Sequence, residues 1–355
     1  MQLIKKASGQ NLGGHLKIST IFSFAFSVSL FAILVSNAGC KGDTTNKPST
    51  TETSIEQPVP VPKFDRDSAF HYVDKQVAFG PRVPNTDAHK KCREWLVGQF
   101  KSFGLEVIEQ PFQARAYTGT VLNGVNIIAQ YKPSAPKRIF FASHWDSRHI
   151  ADSPLNVDRS DEPILGADDG GSSTGILLEI ARQLQANPAD IGVDLILFDA
   201  EDHGNDNDVD PQPETWCLGS QYWSKNIVPA GYRPRYGILL DMVGAKNTRF
   251  LKEAVSMNFA PEVMNKVWSL GQSLGYTNYF VNEKAGAITD DHYFVNTIAK
   301  IPMIDIIGKP ANSQTGFGDH WHTHNDNMQV IDVRTLRAVG QTMLEVIYRE
   351  AAGRF

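Results

Sequence analysis

Four apolar, strand-like segments of this chain end abruptly in polar and acidic side chains, and this pattern constrains the fold more than any other feature. The segments are FFASHWDSR, ILFDAED, ILLDMVG and IPMIDIIG, whose polar ends include His144, Asp146, Glu201, Asp202, Asp241 and Asp305. Carboxylates at the rim of an apolar core are costly unless something compensates their charge. Because ligands bind beyond the carboxyl ends of the strands in open α/β sheets, we expect these side chains to converge on one site.

Strand-like and helix-like segments alternate along the chain from about Phe64 onward. Apolar runs predict strands at 105–112, 125–131, 138–143, 193–200, 236–243 and 301–307. Apolar residues at helical spacing predict helices at 87–103, 172–186, 262–274 and 333–349. This alternation predicts one α/β domain over residues 64–355, with a central twisted β-sheet that is mixed but mostly parallel and has helices on both faces.

The N-terminal segment carries the features of an export signal. Three lysines precede a stretch from Ile18 to Cys40 that contains no charged residue. A basic region followed by an apolar region predicts a signal peptide over residues 1–39, with an uncleaved membrane anchor as the alternative. The tetrapeptide NAGC resembles a lipoprotein lipobox. This resemblance implies that Cys40 is lipidated after cleavage, with plain secretion as the alternative.

The segment that begins at Cys40 separates the signal from the predicted domain. Residues 40–63 are rich in Thr and Pro, and they contain too few apolar side chains to form a core, so we predict a flexible tether. We expect the protein in the periplasm or cell envelope, held at the membrane only through its N-terminal lipid or anchor, and as a monomer. The formal net charge of −5 offers no basic stripe, which argues against a nucleic-acid partner.

Two further segments contribute candidate metal ligands. GADDGGSSTG places Asp168 and Asp169 in a turn before a predicted helix, and GDHWHTHNDN places His320, His322 and His324 before the last helix. Zinc takes imidazole and carboxylate ligands in proteins, and a cation would neutralise the crowded acidic side chains. Capping of the following helix is the alternative role for Asp168, and a solvated loop position is the alternative for each histidine taken singly.

The motifs HxDS, GAxD, xED, LLD, DDH and WHT occur in this order along the chain. This order resembles the zinc exopeptidase folds, and in particular the glutaminyl cyclases of the animal type and their bacterial relatives. The resemblance extends from about Phe64 to the C-terminus. It implies a zinc-exopeptidase-like version of the α/β fold and one zinc ion per chain.

The resemblance also implies roles for individual residues. The implied zinc ligands are Asp169, Asp202 and His322. The implied catalytic carboxylates are Glu201, which would act as general acid/base, Asp241 and Asp290. The implied substrate-binding residues are Trp321, Trp216 and Asp291, the last as an alternative to Asp290. Many relatives carry glutamate where this chain has Asp202. The family further implies a cis peptide bond between Asp169 and Gly170.

The activity implied by the resemblance is the cyclisation of an N-terminal glutamine of a peptide or protein to pyroglutamate, with release of ammonia. A zinc aminopeptidase with two metals is the main alternative, because His144 and Asp241 match the additional ligands of those enzymes. The HWDSR segment, the position of DDH and the tryptophan directly before His322 favour the cyclase. A lipoprotein that only binds ligands is a third possibility, but neither Glu201 nor a zinc ligand is missing.

Overall fold

The computed structural model of the protein describes residues 57–206 and 212–355. The predicted export signal, Cys40 and most of the predicted tether lie outside the described residues. Gln57–Phe355 form one compact unit, and Val59 and Val61 pack against its core. The folded unit therefore begins several residues before the predicted boundary at Phe64, because these valines bury apolar surface that a free tether would leave in water.

Eight α-helices and eight β-strands are assigned within the described ranges. The helices are α1 (Arg66–Val77), α2 (Asp87–Ser102), α3 (Ser173–Ala186), α4 (Leu218–Lys225), α5 (Ala254–Phe259), α6 (Pro261–Ser273), α7 (Asp291–Phe294) and α8 (Val333–Ala351). The strands are β1 (Glu106–Arg115), β2 (Val121–Tyr131), β3 (Arg138–His144), β4 (Gly192–Phe198), β5 (Gly237–Asp241), β6 (Phe250–Lys252), β7 (Phe280–Lys284) and β8 (Met303–Ile307). Among the described helices, none has both the length and the hydropathy needed to cross a bilayer.

Six of the strands form the central sheet, in the order β1-β2-β4-β3-β5-β8. β2 is antiparallel to both β1 and β4, whereas the pairs β3–β4, β3–β5 and β5–β8 are parallel. Every residue of β3, β4, β5 and β8 is buried, as expected for parallel strands that are covered on both faces. The predicted fold class, a mixed and mostly parallel sheet, is confirmed.

Alternate residues of the strands face helices on opposite sides of the sheet. In β3, Ile139 and Phe141 belong to the core cluster that includes the apolar faces of α3 and α8. Phe140 and Ala142 belong to a second cluster, which Trp223 of α4 closes. This alternation follows from the two-residue period of a strand, and it produces the predicted helices on both faces.

The sequence patterns did not predict α1, α4, α5 and α7, nor the short strands β6 and β7. α1 buries only Ala69, Val73 and Gln76, so its apolar stripe is too narrow to stand out. Its first turn is instead stabilised by the Asp65 carboxylate, which accepts hydrogen bonds from the amides of Asp67 and Ser68. α4 has eight residues, which is too short for a clear helical period.

The first turn of α4 lies against the end of β4. This contact fixes the position of the segment that leads into α4 and forms one wall of the candidate site. The Asn126 amide donates to the Gly219 carbonyl at 2.9 Å and its oxygen accepts from the Asp199 amide at 3.0 Å. A Cβ atom on Gly219 would lie 2.2 Å from the Asp199 carbonyl oxygen and 2.5 Å from Asn126 Oδ1. Both atoms belong to groups held in place by these hydrogen bonds, so a glycine is required here for steric reasons.

We therefore expect Gly219→Ala to lower the free energy of unfolding by about 1–3 kcal/mol, the usual range for overpacking a buried position. Gly98→Ala is the matched control, because Gly98 lies inside α2 and an added Cβ would meet nothing within 4 Å. The control should be neutral or slightly stabilising, since alanine favours the helix over glycine. Urea unfolding of both variants measures the difference, and equal midpoints would contradict the steric argument.

Candidate functional site

A cavity of about 370 Å³ opens beyond the carboxyl ends of β4, β5 and β8. Its lining includes the predicted residues Asp169, Glu201, Asp202, Trp216, Asp241, Asp290, Trp321 and His322, together with Met242, Ile288, Ile307, Lys309 and Phe317. Residues that are far apart in the sequence therefore meet at the edge of the sheet where the strand ends predicted a site.

Asp169, Asp202 and His322, called the ligand cluster below, form a set of buried donor atoms suited to a metal ion. His322 Nε2 lies 3.1 Å from Asp202 Oδ1 and 3.9 Å from Asp169 Oδ2, and suitable ligand atoms of all three lie within 4.8 Å of one another. Ligands of a tetrahedral zinc ion lie about 3.3 Å apart, given Zn–N and Zn–O distances near 2 Å. Asp202 Oδ2 is buried and has no hydrogen-bond partner among the described residues. The ligand cluster therefore fits a zinc ion in spacing and in chemistry.

The turn that carries Asp169 differs from the expectation of a cis peptide bond. The cis peptide bond of the described chain joins Val228 and Pro229, so the bond between Asp169 and Gly170 is trans. The chain turns instead through the left-handed conformation of Gly170, with φ of +79°. A Cβ atom at Gly170 would lie 2.8 Å from the Asp146 carbonyl oxygen, so glycine also allows the close approach to β3.

Two buried aspartates hold the backbone of the predicted ligands and of the predicted base. Asp146 accepts hydrogen bonds from the Glu201 amide at 3.1 Å and from the Asp202 amide at 3.2 Å. Asp326 accepts from the amides of the residues at 168 and 169 at 2.8 and 3.2 Å. Each carboxylate thus orders two consecutive residues, and each is itself compensated by charge-assisted hydrogen bonds.

His322 is oriented by a second carboxylate outside the ligand cluster. Its Nδ1 lies 3.0 Å from Asp152 Oδ1, and the Arg148 guanidinium also binds the Asp152 carboxylate. Burial opposes ionisation of Asp152, but the adjacent His322 imidazole and the hydrogen bonds from Arg148 outweigh it and lower the pKa of this carboxyl. A carboxylate on the far nitrogen leaves Nε2 free to face the cavity, which is a common arrangement behind metal-binding histidines.

Glu201 lies beside the ligand cluster, and its position is held by the turn before α4. The Cys217 amide donates to the Glu201 carbonyl at 2.9 Å, and the Cys217 thiol donates to Glu201 Oε1 at 3.2 Å. Burial raises the pKa of the Cys217 thiol, so the thiol keeps its proton and remains a donor. Both cysteines of the described chain, Cys92 and Cys217, are unpaired and buried.

The charge around Glu201 favours its protonated form. Burial raises the pKa of Glu201 well above its ordinary value, and the nearby carboxylates of Asp202, Asp290 and Asp291 act in the same direction, against the influence of His144. A carboxyl group with a raised pKa can both accept and donate a proton near neutral pH, which is what a general acid/base requires.

His144 bridges two of the acidic residues. Its Nε2 lies 3.0 Å from Asp169 Oδ1 and 3.2 Å from Asp241 Oδ1. These three residues also bring donor atoms within 4.8 Å of one another, as the two-metal alternative requires. Burial raises the pKa of Asp241 to about 6, although its hydrogen bond with His144 opposes the shift.

The structure distinguishes Asp290 from Asp291, the two adjacent aspartates of the segment TDDHYF at residues 289–294. Asp290 lines the cavity, and it caps α7 by accepting a hydrogen bond from the Asp291 amide. Asp291 is fully buried, does not line the cavity and interacts with Ser220. The first residue of α7 thus turns its side chain toward α4, which favours Asp290 over Asp291 for contact with a substrate; both roles stay predictions.

Asp305 is a residue that the strand-end pattern placed wrongly. It lies within β8 and faces His292, with 3.9 Å between its Oδ2 and His292 Nδ1, and it does not line the cavity. Ile307 lines the cavity instead, two residues further along the strand and therefore at its carboxyl end.

Of the three histidines near the C-terminus, only His322 reaches the cavity. His320 Nε2 lies 2.9 Å from Asp168 Oδ2, while the other oxygen of Asp168 accepts from the Gly244 amide at 2.7 Å. His324 contacts a backbone carbonyl at the surface. Asp168 therefore joins loops and does not cap the following helix.

Aromatic side chains form the rest of the wall. The Trp321 ring stacks on the His322 ring at 3.8 Å between centroids, and the Trp216 ring lies 6.1 Å from the same imidazole. The Phe317 ring lies 5.0 Å from Trp321. Phe317 and Lys309 were not predicted as site residues, because both lie in irregular chain where no period or motif distinguishes them.

Comparison with known proteins supports the same interpretation. Residues 126–347 match the model of peptidase family M28. The chain is 25% identical over 279 residues to the glutaminyl-peptide cyclotransferase of Drosophila melanogaster, covering 72% of this chain and 73% of that protein. It is 49% identical to the crystal structure of Bacteroides thetaiotaomicron glutaminyl cyclase bound to N-acetylhistamine, with a TM-score of 0.78 over 81% of this chain and 99% of that one. A Zn-dependent exopeptidase from Parabacteroides distasonis is 50% identical, with a TM-score of 0.79 and the same coverage.

Asp152→Asn should weaken zinc binding by about 10–100-fold, because the neutral amide orients the His322 imidazole less strongly than the carboxylate does. Competition with a chromophoric chelator measures the zinc dissociation constant. Asp190→Asn is the control, since Asp190 is exposed and pairs only with Lys132 at the surface. Equal zinc affinity in the two variants would show that Asp152 does not support the ligand.

Proposed function

This chain belongs to peptidase family M28, and we propose that it acts as a glutaminyl-peptide cyclotransferase. The reaction converts an N-terminal glutamine of a peptide or protein to pyroglutamate and releases ammonia. One observation carries the proposal: the ligand cluster and Glu201 open on a single cavity that is walled by Trp216 and Trp321. The similarity to solved glutaminyl cyclases supports it.

We propose that Asp169, Asp202 and His322 hold one zinc ion per chain. When bound there, zinc supplies a Lewis acid for the carbonyl oxygen of the substrate's γ-amide. The shorter side chain of Asp202 still reaches the cluster, because the Asp146 carboxylate holds its amide and Asp202 Oδ1 lies 3.1 Å from His322 Nε2.

Glu201 is the proposed proton carrier. The α-amine nitrogen of the substrate forms a bond with the γ-carbonyl carbon, and the bond from that carbon to the amide nitrogen breaks. Glu201 takes the proton from the attacking nitrogen and gives it to the leaving nitrogen, which departs as ammonia. The Cys217 thiol donates to Oε1 of Glu201, and this hydrogen bond orients the carboxylate for the transfer.

Asp241 and Asp290 are proposed to orient the reacting groups. Both line the cavity, and both present acceptors that suit the N–H groups of an amine or amide. Holding the α-amine over the γ-carbonyl reduces the entropic cost of ring closure. Trp321 and Trp216 provide apolar surface for the glutamine side chain and exclude water from it.

Purified enzyme should convert a Gln-initiated peptide to a product lighter by one ammonia, with one zinc ion per chain. Glu201→Gln should reduce kcat by at least about 10²-fold, because the amide cannot carry the proton. Glu262→Gln is the control, since Glu262 is exposed in the first turn of α6. Mass spectrometry follows the product, and elemental analysis counts zinc.

Free glutamine as the product, with two zinc ions per chain, would overturn the cyclase proposal. That result would make the protein an aminopeptidase in which His144 and Asp241 contribute to a second metal site, as their positions beside Asp169 would allow.

We also propose that the protein is exported, lipidated on Cys40 and monomeric. The uncharged stretch before Cys40 and the NAGC tetrapeptide support export and lipidation. Cells that express the protein should incorporate a radiolabelled fatty acid into it, and Cys40→Ser should abolish the label and release the protein from membranes. Thr51→Ala is the control within the predicted tether. Label retained in Cys40→Ser would contradict lipidation at this residue, and light scattering tests the monomer.

A further inference from the structure

Lys309 is the only lysine or arginine among the described residues that line the cavity. The acidic residues of the same lining are Asp169, Glu201, Asp202, Asp206, Asp241 and Asp290. The ligand cluster, Glu201 and the two orienting carboxylates all have roles in the proposed reaction. Lys309 has none, so its presence among these groups requires a separate explanation.

The Lys309 ammonium group has one aromatic neighbour, and the negative charges that act on it from the protein interior are those of Asp305 and Glu253. Its Nζ lies 4.4 Å from the centre of the Phe317 ring, within cation–π range. Both of these carboxylates lie against His292, at 3.0 Å for Glu253 and 3.9 Å for Asp305, and Lys309 itself is half-buried. A partly desolvated ammonium whose anionic neighbours are shared with His292 can still bind an anion that enters the cavity.

The backbone at Lys309 is fixed to the edge of the central sheet. The Lys309 amide donates to the Arg249 carbonyl at 2.8 Å, and the preceding Gly308 amide donates to the Asp241 carbonyl at 3.2 Å. A Cβ at Gly308 would lie 2.3 Å from the Met242 carbonyl oxygen, so the chain there packs closely against the residues that follow β5. The position of the side chain therefore depends on the same strands that place Asp241.

A row of rings separates Lys309 from the ligand cluster. His322 stacks on Trp321 at 3.8 Å, Trp321 contacts Phe317 at 5.0 Å, and Phe317 lies beneath Lys309 Nζ. If the γ-amide of the substrate lies at His322, the next residues of an extended peptide lie further along the cavity, at about 3.3–3.6 Å per residue. A substrate that extends from His322 along this row of rings would bring its second or third residue to the ammonium.

We propose that Lys309 forms a subsite for a substrate carboxylate located after the N-terminal glutamine. The carboxylate is either the side chain of an acidic residue at the second or third position or the C-terminus of a short peptide. This inference rests on the proposed cyclotransferase function and names the substrate class that the site prefers. The lining carboxylates would otherwise repel such substrates, and an attractive charge at this position offsets the repulsion.

The test compares matched peptide pairs. Gln-Glu-Ala-amide and Gln-Gln-Ala-amide differ in one side-chain charge, and Gln-Ala and Gln-Ala-amide differ in the terminal charge. We expect kcat/KM to be about two- to fivefold higher for the charged member of at least one pair, the range of a partly exposed ion pair. The pair that shows the preference identifies the source of the carboxylate, and the preference should decrease at high salt.

Substitutions of Lys309 then test whether this side chain causes the preference for the charged peptide. Lys309→Gln should bring the ratio of kcat/KM within the preferred pair close to one, and Lys309→Glu should invert it. Lys225→Gln, an exposed position at the end of α4, should keep the ratio of the parent enzyme. A ratio near one in the parent enzyme, or a ratio that Lys309→Gln and Lys309→Glu leave unchanged, would overturn the proposal.

A binding measurement separates this inference from the proposed function. Calorimetry with the Glu201→Gln protein records affinity for the same peptides without turnover, and the charged members should bind about two- to fivefold more tightly. Equal affinities would refute the subsite, even if every peptide is cyclised by the parent enzyme. If the parent enzyme cyclises no peptide, the proposed function fails, while tighter binding that Lys309→Gln removes would still support the carboxylate subsite.

Discussion

The site depends on compensation of the negative charge that the protein buries at one edge of its central sheet. Carboxylates that leave water lose hydration, and their neighbours of like charge add repulsion. The chain answers this cost with three kinds of partner: backbone amides on Asp146 and Asp326, imidazoles on Asp169 and Asp202, and the thiol of Cys217 on Glu201. A zinc ion in the ligand cluster would be the fourth.

These compensating contacts also produce the chemistry. The Asp146 carboxylate orders Glu201 and Asp202 together, and adjacent residues of an extended chain point to different sides. Asp202 therefore faces His322, while Glu201 faces the cavity and the turn at Cys217. The Asp146 carboxylate thus positions both a proposed metal ligand and the proposed proton carrier. Lys309 contributes a positive charge to the lining of the same cavity.

The fold was predictable because its signals are local. β3, β4 and β5 are buried runs of apolar residues, and their ends carry the side chains that reach the site or support it. Asp202 and His322 were found through ordered motifs shared with a known family. The strand-end rule failed for Asp305, whose side chain faces His292 within the sheet, and the family pattern failed for the cis bond after Asp169. Neither a sequence motif nor hydrophobic periodicity indicates whether a side chain turns toward a helix or toward a cavity.

The sequence by itself determined the α/β architecture, the acidic strand ends and the set of residues that could bind zinc, because periodicity and residue type act within a few positions of the chain. Tertiary structure alone decided which buried carboxylates accept hydrogen bonds from backbone amides. It also decided that Asp290 and not Asp291 lines the cavity, that Asp152 lies against His322, and that Lys309 lies near Phe317. These outcomes depend on the packing of loops that are distant in sequence, and packing sets burial, distance and local charge.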